Sequence, residues 1–174
     1  MANKEALREL QTRLAEKLQA ARTQERGKSW LAVECSSRGF LFPLKEAGEI
    51  FPLAPIVPVP HAHPWFMGVA NLRGHLHGVV DLAGFLGVKV AAEPLREQSR
   101  LVAFNTLLDL NCALLVDRLS GLRNEQQLTA QDDVASGPRP AFVGARYKDD
   151  GGRVWQELSL AALASDEAFL RIVE

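Results

Sequence analysis

The sequence predicts a mainly β protein: two similar small β-barrels in tandem, preceded by an N-terminal amphipathic helix and followed by a short C-terminal helix. Three observations predict it. Short apolar runs alternate with Gly, Asp, Asn and Pro turn signals from Trp30 onward. The pattern of turn residues recurs along the chain. The leucines of the first stretch step at helical intervals instead. At 174 residues the chain is long enough to bury a core without disulfide or metal support.

Leu7, Leu10, Leu14, Leu18 and Ala21 recur at three- and four-residue steps, which puts them on one stripe of a helix from about Lys4 to Arg22. Asn3 is its candidate N-cap, and Glu5 and Lys17 suit the two ends of its dipole approximately. The stripe either packs on the protein's own body or docks a partner helix. Thr23 to Lys28 is polar and reads as a linker, so residues 1–28 form a helix plus linker and residues 29–174 the folded body. Trp30 to Cys35 and Phe40 to Leu44 form a hairpin around Ser36-Ser37-Arg38-Gly39. A connector holding Pro52, Pro55, Pro58, Pro60 and Pro64 follows. Lacking N–H donors, those prolines are expected along a sheet edge. Phe66 to Leu72 and Leu76 to Val80 are the next strands, joined through Arg73-Gly74-His75. Asp81 caps a helical turn, Leu82 to Leu86, that stops at Gly87.

Arg100 to Leu107 pairs with Asn111 to Leu119, and a polar connector runs from Arg123 to Gly137. Phe142 to Tyr147 and Val154 to Leu158 flank the turn at Lys148 to Gly152. Ser159 is the candidate N-cap of a short helix from Leu160. A fixed offset of 76 places Pro64 on Pro140, Phe66 on Phe142, Gly68 on Gly144, Asp81 on Glu157 and Leu82 on Leu158. Matching punctuation marks equivalent units, which is the basis of the two-barrel expectation, although these are common residues that also coincide by chance.

Twenty Lys and Arg against 21 Asp and Glu give a net charge of −1, which offers no field for a phosphate backbone and argues against nucleic acid. The first residues alternate charges with leucines, so they read as neither signal peptide nor membrane span, and a cytoplasmic protein without direct membrane insertion is expected. Cys35 and Cys112 lie in apolar strand segments and are read as buried small hydrophobes.

All four histidines fall in His61-Ala62-His63 and His75-Leu76-His77. Rings at i and i+2 of an extended segment share a side, so two facing pairs could ligate zinc or copper. Prolines around the first pair, and no sequence signal for a second shell, favour solvent-facing rings and no metal. No nucleophile elbow, phosphate loop or thiolate setting stands out, so no catalytic residue and no cofactor are expected. Arg73, at a hairpin bend, either locks a carbonyl or Asp81 within its own barrel or presents its fork to a partner protein. Gly68, Gly74, Gly78 and Gly144 read as fold residues. Trp65, Phe66 and Met67 read as core.

The segments Gly68-Val69-Ala70-Asn71-Leu72-Arg73-Gly74, Gly78-Val79-Val80-Asp81-Leu82 and Phe85-Leu86-Gly87 resemble the signature of the CheW family of chemotaxis coupling proteins, with a second match at Leu114-Leu115-Val116-Asp117. The similarity runs from about Trp30 to Ala164. The helix ahead of the body resembles the PilI subgroup, which serves the chemosensory pathway of type IV pili and twitching motility. The resemblance implies two SH3-like five-stranded barrels. It also implies a non-enzymatic adaptor between the cytoplasmic tip of a methyl-accepting chemoreceptor and the regulatory domain of a CheA-type histidine kinase. By the same resemblance Val69, Asn71, Leu72 and Arg73 fall at the receptor contact, while the kinase contact is not assigned to residues. His75 and His77 replace acidic and prolyl residues frequent in the family, and Ser159 replaces an acidic residue at the start of the last helix. The competing class is a His-based metal-binding protein or enzyme on the same scaffold.

Overall fold

Two sheets share one core between them, and each has a second apolar face of its own. The computed structural model describes residues 2–89, 95, 97–132 and 137–174, with the side chains of 2, 3 and 21–26 left aside. In chain order the elements are helix α1 (Ala2–Arg26), strands β1 (Ser29–Cys35), β2 (Arg38–Pro43), β3 (Ala47–Pro52), β4 (Phe66–Leu72) and β5 (His75–Asp81), and helix α2 (Leu82–Leu86). Then come β6 (Arg100–Phe104), β7 (Cys112–Val116), β8 (Arg118–Asn124), β9 (Leu128–Gln131), β10 (Val143–Asp149) and β11 (Val154–Leu158), followed by α3 (Leu160–Leu163) and α4 (Glu167–Leu170). One sheet has five strands in the order β3-β6-β7-β5-β4; the other has six, β8-β1-β2-β11-β10-β9.

The mainly β, two-unit architecture is as the sequence predicts, but the units interleave instead of following one another. β1 and β2 open the six-stranded sheet, the chain builds the five-stranded sheet, and β8 to β11 return to complete the first. The crossing falls at Asp117. Its N–H donates to the Glu34 carbonyl at 2.9 Å and its carboxylate accepts from the Ser36 N–H at 2.7 Å, so what reads as a single strand from Asn111 to Leu119 is β7 of one sheet and the start of β8 of the other. β3 and β9 lie in segments expected to be connectors. No residue of β3 is fully buried, so it lacks the apolar alternation that marks a strand.

The period of two explains the burial. In β1, Leu31, Val33 and Cys35 enter the core between the sheets while Trp30 and Ala32 enter the far side of their own sheet. In β7, Cys112, Leu114 and Val116 face the shared core, and Ala113 and Leu115 face the interior of the five-stranded sheet with Leu72 and Val79. Strands buried on both faces read as continuous apolar runs. Of the three residues expected in the core, Phe66 is buried in the shared core with Trp65 half-buried against it, while Met67 is half-buried on the other side of β4, against the interior of the five-stranded sheet.

The internal repeat is visible in the pairing, at a slightly different register. Phe66 pairs with Val80 where Val143 pairs with Leu158. The Asp81 N–H donates to the Trp65 carbonyl where the Ser159 N–H donates to the Phe142 carbonyl, both at 2.8 Å. The counterpart of Asp81 is therefore Ser159 and not Glu157. Asp81 sits at the N-cap of α2, but its carboxylate takes the Lys89 ammonium at 2.7 Å instead of a helix N–H. Ser159 does cap α3, accepting from the Ala162 N–H at 3.1 Å. Glu46 adds the negative charge that favours a helix N-terminus, accepting from the Ser159 hydroxyl at 2.7 Å and the Ala161 N–H at 3.0 Å.

α1 extends past the expected Arg22 and takes in most of the supposed linker, and Asn3 lies inside its first turn instead of capping it. Its leucines do not pack on the body: Leu7 and Leu18 are 58% and 62% exposed. The side chain of Ala21 lies outside the described residues. Removing residues 1–28 is expected to shift Tm by less than about 3 °C, since Ser29 is where pairing to the sheet begins. Calorimetry checks this, and loss of a cooperative transition in the truncated chain would tie α1 to the core.

Candidate functional site

The β4–β5 hairpin gathers the four residues singled out for partner contact. It closes on a two-residue turn, Arg73-Gly74, with φ of 51° and 79°, the double left-handed geometry of a tight hairpin whose twist suits the flanking strands. Gly meets that demand freely. Arg73 does not, and Asn71 helps hold the turn by accepting the Gly74 N–H on its side-chain oxygen at 2.8 Å. The turn thus lifts Arg73 out of the ladder, with its side chain 75% exposed and its guanidinium 2.7 Å from the Glu49 carboxylate on β3.

That ion pair joins the hairpin of one edge to the strand of the other edge, because β3 and β4 end the five-stranded order. The sheet is therefore strongly curled around Leu72, Val79, Leu101 and Leu115. Asp81, the internal partner the sequence offers Arg73, is instead held by Lys89. Of the remaining three, Asn71 is exposed and Val69 half-buried. Leu72 is 3% exposed, so its side chain supports the hairpin from inside and is not presented outward. Val69 exchanges both backbone hydrogen bonds with Val57, at 2.8 and 2.9 Å, which puts the prolyl connector along the β4 edge. Gly68 makes that approach possible: its φ is +134°, and a Cβ there would stand 2.1 Å from the Val57 carbonyl oxygen.

Beside the hairpin tip opens a groove of 590 Å³ lined by Glu49, Phe51, Arg73, His75, His77 and Asn105, among others. His77 lies 6.3 Å from the Phe51 ring, and its Nδ1 is 3.1 Å from the His75 carbonyl. The other pair goes elsewhere, with His63 stacked on Trp65 at 5.3 Å. Among the described residues no group of three or more His, Cys, Asp and Glu side chains could hold a metal ion. Cys35 and Cys112 are buried in the shared core, and that burial pushes both thiols up to about 12, so neither supplies a thiolate near neutral pH.

A second groove, of 420 Å³, lies where Arg38, Phe40 and Leu158 of the six-stranded sheet meet Leu86, the last residue of α2, and Val88 just beyond it. Sequence reasoning missed it. Its walls come from segments far apart in the chain, and no local pattern brings them together.

The chain matches the model of the CheW-like domain over residues 29–168. It is 30% identical to protein PilI of Pseudomonas aeruginosa over 154 residues, covering 86% of this chain and 83% of PilI. It is 31% identical to the chemotaxis protein CheW of Rhizobium meliloti over 119 residues, covering 67% and 75% of the two chains. The crystal structure of the scaffolding protein TtCheW from Thermoanaerobacter tengcongensis superposes with a TM-score of 0.64 at 19% identity, over 77% of this chain and 90% of that one, a likeness of fold. No helix among the described residues is long and apolar enough to cross a membrane. With both sheets inside the matched span and the signature hairpin at its expected place, the chain belongs to the CheW-like family.

Proposed function

We propose that the chain is a coupling adaptor that bridges the cytoplasmic tip of a methyl-accepting chemoreceptor to the regulatory domain of a CheA-type histidine kinase, in a chemosensory array of the type IV pilus and twitching-motility kind. The observation that carries this reading is the alignment with PilI over 86% of the chain. The adaptor works by geometry and performs no chemistry of its own. Receptor contact falls to the hairpin tip, where Asn71 and Arg73 are exposed, Val69 is half-buried and Leu72 holds the tip from beneath. An arginine fork is suited to this role because it matches carboxylates bidentately, and its exposed pair with Glu49 leaves it able to exchange partners.

Titration calorimetry of the purified chain against the regulatory domains of its organism's CheA-type kinases, one at a time, tests the reading. Saturable micromolar binding to one kinase supports it, and no binding to any defeats it. Arg73→Ala is expected to weaken receptor binding about tenfold or more. Its effect on folding stability should stay under about 1 kcal/mol, because the lost ion pair is a surface one. A fall in Tm that accounts for the lost binding would assign Arg73 to the fold instead.

A further inference from the structure

Every residue from Lys4 to Ala20 of α1 is exposed. Leu7, Leu10, Leu14 and Leu18 lie on one face of that helix, so it carries an apolar seam that its own body does not cover. A turn of about 100° per residue fixes where the charges fall around the seam. Lys4 and Arg8 border it on one side and Arg13 and Lys17 on the other, whereas Glu5, Glu9 and Glu16 fall on the opposite face. The cations thus stand where bordering residues of a helix pair meet the partner, and the carboxylates are turned away from it.

We infer that α1 is a docking helix for an acidic amphipathic helix of another protein, one whose apolar seam is bordered by Glu or Asp. Charge complementarity selects this occupant. A second copy of α1 would set cations against cations along both borders, whether parallel or antiparallel. A bilayer surface responds to net charge and apolar bulk. Lys4 to Leu18 offers it four cations against three carboxylates and no aromatic anchor. A facing helix with acidic borders gains from all four cations and meets none of the three carboxylates.

The test titrates the full chain with two synthetic helices that share one leucine seam, bordered by glutamates in one and by lysines in the other, and reads fluorescence anisotropy. Binding of the glutamate-bordered peptide, at least about tenfold tighter than the lysine-bordered one, is expected. The double variant Arg13→Glu, Lys17→Glu is expected to reduce that preference by about tenfold or more, with an unchanged melting curve because both positions are exposed. Equal affinity for both peptides overturns the inference, as does no binding up to about 1 mM. So does α1-dependent dimerisation in sedimentation, or uptake onto phosphatidylserine vesicles in preference to both peptides. None of these readouts involves the hairpin or the kinase titration, so this inference and the adaptor reading stand or fall separately.

Discussion

Phe169→Ala is expected to destabilise the fold by about 4 kcal/mol, the cost of deleting a buried aromatic ring and leaving its cavity. Phe169 is 3% exposed and lies where the two sheets meet. Its ring stacks on Phe104 at 5.8 Å and on Trp65 at 6.3 Å, and meets Phe85 edge-on at 5.2 Å; Phe85 in turn leans on Phe142. Phe104 ends a strand of the five-stranded sheet and Phe142 leads into the six-stranded one, so the ring fills the seam between the units. The residues after it pin the C-terminus to the prolyl connector, through the His63 N–H on the Ile172 carbonyl at 2.8 Å and the Glu174 N–H on the His61 carbonyl at 3.1 Å. Residue 169 lies just past the span matched by the family model, yet it belongs to the core. Urea unfolding measures the effect through the shift in midpoint at constant slope. A loss below about 1 kcal/mol would make α4 an appendage instead.

The second large effect concerns Glu34, which is 8% exposed on β1. Its carboxylate takes the guanidiniums of Arg118, from β8, and Arg153, from the turn before β11. Burial by itself would raise its pKa, but the hydrogen bonds and charges of Arg153 and Arg118 outweigh that and hold it below the ordinary carboxylate value. Glu34→Gln is expected to cost about 2 kcal/mol near neutral pH, short of a fully buried pair because both arginines remain partly solvated. The sign with pH follows from the lowered value. Glu34 contributes its stabilisation above the ordinary carboxylate pKa and loses it as pH falls through the lowered one. The wild-type chain should therefore weaken in acid more steeply than Glu34→Gln. Asp149, held low by the Trp155 indole N–H and the Arg153 backbone N–H, keeps some acid sensitivity in both proteins. Equal acid slopes would show that the Glu34 carboxylate is not what the arginines clamp.

Much of the fold could be read locally. The β1–β2 and β4–β5 hairpins, α2 with its Gly87 stop, and Ser159 at the start of α3 all follow from signals a few residues long: strand alternation, a turn residue, a cap. β3 and β9 escaped because neither carries an apolar face long enough to show a period. The break at Asp117 escaped because two charged residues after an apolar run do not say that the chain changes sheets, which only the bonds of Asp117 to Glu34 and Ser36 show. For the candidate site, the turn at Arg73-Gly74 was legible from its place between two strand segments, whereas the sequence left open whether Arg73 turns inward or outward, and only its pairing with the exposed Glu49 settles that. The burial of Leu72 was not, since the family signature says nothing about which side of the strand each member occupies.

Sequence by itself determined most of the strand segments, the family and the hairpin that carries its signature, because these depend on backbone preferences and spacing within a few residues. The tertiary structure alone decided which strands share a sheet, that Arg73 pairs with Glu49, that Glu46 completes the cap of α3, and that the leucines of α1 stay uncovered. Each of those depends on whether groups distant in the chain come into contact. Such contacts are set by how two curled sheets bury their common core, and no local pattern encodes that.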